Sequence, residues 1–152
     1  MKKYKLYWIQ KEVANYFYHK GDILYRFLLE YLQSKSYHTI IQYDYITKEM
    51  PHSDLIMYIK EKCKLHNIEV IQKEQTIQLQ QKETIINVMI NDTNIEIFSR
   101  TIHCAEKVIF PILRTFEPSL FIVGEAKNEY GWIAPFRHEE RFKTNEKLYS
   151  MY

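Results

Sequence analysis

Lys3-Tyr4-Lys5-Leu6-Tyr7-Trp8-Ile9-Gln10, followed at once by Lys11-Glu12-Val13-Ala14-Asn15-Tyr16-Phe17-Tyr18, is the stretch on which the fold turns. The first eight residues alternate as a half-buried strand does, with Tyr4, Leu6 and Trp8 on one face and the lysines on the other. The next segment, over 12–18, is helix-competent but has too many apolar sides. Val13/Phe17 and Ala14/Tyr18 make two neighbouring i,i+4 rows, with Tyr16 flanking them. A helix docked on one core needs an apolar stripe only about 100° wide. Either the tyrosines lie sideways with wet hydroxyls, or one row faces the core and the other a partner.

Downstream, Gly21 interrupts the helical region, and Asp22 is the expected cap of a core helix over 23–33. There Ile23, Phe27 and Tyr31 recur beside Leu24, Leu28 and Leu32. Residues 34–38 read as a connector. Ile41 and Tyr45, at helical spacing, give a short helix within 39–47. Beyond Pro51, Ser53 is placed to cap a helix whose stripe is Ile56, Ile59 and Cys63 through Leu65, ended by Asn67. From Glu69 the texture becomes that of polar-faced strands, interrupted near Lys73-Glu74. Two strands over 84–90 and 94–98 flank Asn91-Asp92-Thr93, a hairpin signal because Asn and Asp tolerate left-handed backbone. Helical spacing returns over 101–116, where Pro111 should kink the helix or end it early. Residues 119–123 form a strand, and 130–135 an edge strand closed by Pro135. The tail over 137–152 is charged and expected to pack loosely. The pattern predicts one α+β domain over 1–152: a mostly antiparallel sheet with several helices packed on it.

Composition narrows the function. At 152 residues, 46% apolar and 26% charged, the chain has ordinary globular values. No apolar run approaches the roughly 20 residues a bilayer needs, and the basic start at Met1-Lys2-Lys3 has no signal-like apolar run behind it, so a cytoplasmic location is expected. Cys63 and Cys104 are accordingly expected as reduced thiols. A net charge of +2, spread along the chain, gives no concentrated basic face. Thirteen tyrosines stand beside only three glycines. Tyrosine suits an interface as well as a core edge, and so few glycines cannot build phosphate-cradling loops.

Chemistry-bearing motifs are absent from the sequence. There is neither a Gly-x-Ser-x-Gly elbow nor a His-Glu-x-x-His pair. Cys63 with His66, and His103 with Cys104, supply the residue types of a zinc site, but adjacent His103 and Cys104 point to different sides of a helix. Asp44, Asp54 and Asp92 read as turn or capping residues. The other histidines, His19, His38, His52 and His138, sit at element ends. No enzyme activity, cofactor or metal is expected. The competing class is nucleic-acid binding, from tyrosines and lysines interleaved over 2–7 and from Arg137, Arg141 and Lys143.

The order and spacing of several strings resemble the SirA family of sporulation inhibitors of replication. They are the run from Tyr7 to Phe17, Tyr45-Ile46-Thr47 with Pro51, and Phe121 through Tyr130-Gly131-Trp132-Ile133-Ala134-Pro135. Between Leu55 and Arg100 the similarity is one of pattern. The resemblance implies a non-enzymatic protein that binds the N-terminal domain of the replication initiator DnaA and blocks initiation on commitment to sporulation. It also implies a contact surface of two apolar residues one turn apart on the first helix and a glutamine in the following segment. The matching positions here are Val13, Phe17 and Gln42. Val13 stands where better-known members have an aromatic, and Phe17 where they have tyrosine. Neither membrane nor direct nucleic-acid binding is implied, and the free protein is expected to be a monomer.

Overall fold

The computed structural model describes residues 1–134. Strand β1 (Lys2–Trp8) is followed by four helices, α1 (Lys11–Phe17), α2 (Gly21–Gln33), α3 (Tyr37–Ile46) and α4 (His52–Leu65). Strands β2 (Glu69–Lys73), β3 (Thr76–Gln81), β4 (Thr84–Ile90) and β5 (Asn94–Ser99) then run as a meander. Helices α5 (Ile102–Val108) and α6 (Phe110–Phe116) lead to β6 (Leu120–Gly124) and β7 (Tyr130–Trp132). The strands form one sheet in the order β2-β3-β4-β5-β1-β6-β7, with every pair antiparallel. The fold is the α+β class expected, with the first strand near the middle of the sheet.

Alternation in the strands builds two cores. Tyr4 and Leu6 of β1 share a face with Val88, Ile97 and Ile122, and α4, α5 and α6 close it with Leu55, Ile59, Ala105 and Leu113. Tyr7 projects to the opposite face with Phe121, Val123 and Trp132, where Ala14, Leu24, Leu28 and Tyr43 cover it. Here α1, α2 and α3 lie over β1, β6 and β7 only. Toward β2 the same face is open: Ile71 is 45% exposed, and Gln78 and Ile85 are half-buried. The middle of β1 is hidden on both sides, and of its three lysines Lys3 and Lys5 share the face of Tyr7, where Lys3 reaches Glu96 at 3.6 Å.

Several boundaries differ from the sequence reading. Asp22 does not cap α2: the helix begins at Gly21, and Asp22 lies in its first turn paired with Arg26 at 3.4 Å. The expected connector over 34–38 is half helix, because Ser36 accepts from Thr39 N at 3.2 Å and starts α3 at Tyr37. Pro51, not Ser53, occupies the N-cap position of α4, and the buried stripe is Leu55, Ile59 and Cys63, with Leu65 72% exposed. The turn at Asn91-Asp92-Thr93 uses no left-handed residue. Asn91 closes it instead, its N–H bonding the Asn94 carbonyl and its amide donating to Asn94 Oδ1 and Glu96 Oε1. Left-handed backbone occurs at Asn67, which ends α4 as expected, and at Glu74 and Lys82 in the two flanking hairpins. Pro111 divides the last helical region, with α5 stopping at Val108 and α6 carrying the proline in its first turn, where it needs no donor. Pro135 and the charged tail lie outside the described residues.

Candidate partner-binding surface

Helix α1 has only seven residues and no side-chain cap, so tertiary contacts must hold it. They come from α3. The Gln10 N–H donates to the Ile46 carbonyl at 2.8 Å, Lys48 N–H to the Trp8 carbonyl at 2.7 Å, and Ile9 forms a single bridge with Thr47. The end of β1 and the end of α3 are thereby clasped, and the two helices present a shared outer surface.

On α1 the two apolar rows part company. Ala14 and Tyr18 are buried, and Tyr18 stacks on Trp132 at 5.9 Å while its carbonyl accepts from Trp132 Nε1. Val13 and Phe17 are half-buried, packed at the rim of that core with one side outward. Tyr16 is 63% exposed, edge-on to Phe17 at 4.8 Å and lying under the Lys20 ammonium at 4.2 Å.

Helix α3 contributes more apolar surface than α1. Thr39 and Tyr43 are its buried residues. Tyr37, Ile41 and Tyr45, at i, i+4 and i+8, form a row that is exposed along its length, with Gln42 exposed beside it. Val13 and Tyr45 share a groove of about 330 Å³ between the helices, lined also by Gln10, Lys11, Glu12 and Asp44. The charges at its mouth are mixed, so the surface is amphipathic rather than basic. Of the three residues taken from the family resemblance, Val13 and Phe17 sit on one helix at the rim and Gln42 on the clasped neighbour. Sequence reading used Ile41 and Tyr45 only to identify a helix. The signal missed was that a helix with six apolar or aromatic residues among ten cannot bury them all on one side.

Among the described residues no three His, Cys, Asp or Glu side chains are grouped to hold a metal. Cys63 is buried in the α4 stripe, where burial pushes its thiol up to about 11, and Cys104 is half-buried beside Thr101 Oγ1. Among the described residues no helix is long and apolar enough to cross a membrane.

Comparison with known proteins gives a concordant result. The family model described as sporulation inhibitor of replication protein SirA matches residues 2–137. The chain is also similar to the sporulation inhibitor of replication protein SirA of Bacillus subtilis (strain 168), 26% identical over 141 residues, covering 88% of this chain and 94% of the relative.

Proposed function

The chain belongs to the SirA family of sporulation inhibitors of replication, and from that premise we propose that it restrains initiation by docking on the N-terminal domain of the initiator DnaA. The observation that supports this reading most is the apolar surface shared by α1 and α3. Phe17 and Val13 are held at the rim of the core by Ala14 and Tyr18 beneath them, and Tyr45 rises across the groove. Rigid aromatic anchors on clasped elements lose little freedom on binding, which favours affinity from a modest area. In this reading Val13, Phe17 and Tyr45 enter apolar hollows of the partner, and Gln42 satisfies a polar group at the edge of the contact. The action is occupancy rather than catalysis. A contact of about 1,200–1,600 Å² in total would place it among standard domain-to-domain interfaces.

The test is a pull-down with the initiator's isolated N-terminal domain, using wild type and a Phe17→Ala, Gln42→Ala double variant. Capture by wild type and loss in the folded variant is the expected result. Equal capture of both would move the contact to another surface, and failure to capture either would remove the initiator as partner.

A further inference from the structure

We propose that two copies of this chain associate through their β2 strands, joining their sheets edge to edge about a two-fold axis at Ile71. Among the described residues, strand β2 is the outermost strand of the sheet and pairs on one side only, with β3. Its free edge offers unpaired backbone donors and acceptors, a template for another strand.

The sequence of that edge is self-complementary. In an antiparallel pair, directly opposed residues share a face, so only registers that keep both sheet faces continuous are allowed. Of these, the one centred on Ile71 sets Glu69 against Lys73 of the second copy, and Lys73 against its Glu69. The neighbouring allowed registers oppose Ile71 to Glu69 or to Lys73 and lose both pairs. Within the chain Glu69 and Lys73 face only neutral neighbours, Gln80 and Thr76, and among the described residues neither has an ion-pair partner. Ile71, at 45% exposed, would meet its own copy on the axis. On the other face Lys60 and Lys64 of α4 rim a groove with Val70 and Gln72. Lysines beside an edge oppose tight association, so the dimer is a reversible one, of the small-interface class below about 1,200 Å².

This departs from the monomer expected of the sequence. It also has a consequence that rests on the partner-binding reading: α1 and α3 lie over β1, β6 and β7, away from β2, so the dimer presents two docking surfaces at once.

The experiment is sedimentation velocity of the full chain as concentration rises, for wild type, Glu69→Lys and Lys73→Glu, and for the two variants mixed in equal amounts. All positions changed are exposed, and thermal melts confirm folding. Wild type should shift from monomer to dimer, each variant alone should stay monomeric because like charges now face each other, and the mixture should recover the dimer. A wild type that remains monomeric, or single variants that dimerise as wild type does, overturns the proposal. Binding of the initiator domain by the monomeric variants, measured separately, tells failure of this seam from failure of the docking surface.

Discussion

Tyr43 of α3 lies flat on Tyr31 of α2, ring centroids 3.8 Å apart and planes within 4°, and its hydroxyl donates to Thr93 Oγ1 at 2.9 Å. That stack and that hydrogen bond decide which side of α3 turns inward. With Tyr43 fixed, Ile41, Gln42 and Tyr45 have only solvent to face. Removing the hydroxyl in Tyr43→Phe should cost about 1 kcal/mol, the usual worth of one hydrogen bond. Tyr43→Ala should cost about 3–5 kcal/mol by leaving a cavity. Chemical denaturation of both variants checks the order.

Phe17 is a rim residue, not a core one, so Phe17→Ala should lower stability by about 1–2 kcal/mol, short of the roughly 3–5 kcal/mol for a fully buried phenylalanine. Tyr45→Ala, at a side chain 74% exposed, should stay within about 0.5 kcal/mol of wild type. Thermal melts read both. Loss of folding in Phe17→Ala would make that ring part of the core.

Alkaline pH should unfold the protein through its buried tyrosines. Burial pushes the Tyr43 hydroxyl from 10.0 up to about 12, and burial likewise raises that of Tyr7, whose hydroxyl has no hydrogen-bond partner among the described residues. The folded state thus holds protons that the unfolded chain releases. The stabilisation is complete below pH 10 and is lost as pH climbs toward 12. Denaturation midpoints should fall across that window, and phenolate absorbance from these two rings should appear together with unfolding.

The cysteines should differ in reactivity. Cys63 is fully buried and its thiol is raised to about 11 by that burial, whereas Cys104 is partly accessible. A thiol reagent at neutral pH should modify one cysteine readily and the second only at the rate of unfolding, because the thiolate is the attacking species. Mass mapping of the fast adduct to Cys63 would contradict the packing of α4.

Much of this architecture was legible in the chain, because its signals are local. The alternation over 3–10 predicts a strand, though a half-buried one where the structure also buries Tyr7 on the second face; Pro111 predicts a break in helical spacing, and Asn67 the helix end. The two rows of α1 were also readable as competing faces. The orientation of α3 was not. Tyr37, Ile40, Ile41, Tyr43 and Tyr45 have similar claims to burial, and the choice falls to partners distant in sequence, Tyr31 and Thr93. Asp22 misled for a related reason: it has the chemistry of a cap, but Arg26 one turn on draws it into an ion pair. At Asn91 the side-chain amide, not left-handed backbone, closes the turn.

Calorimetric titration of this chain with the initiator's isolated N-terminal domain, at low and at raised salt, tests the account most directly. It predicts saturation at one domain per chain, affinity nearly indifferent to salt as an apolar contact requires, and weakening of at least about tenfold in folded Phe17→Ala or Tyr45→Ala. Absence of binding with both proteins folded, or full affinity in both variants, would contradict it.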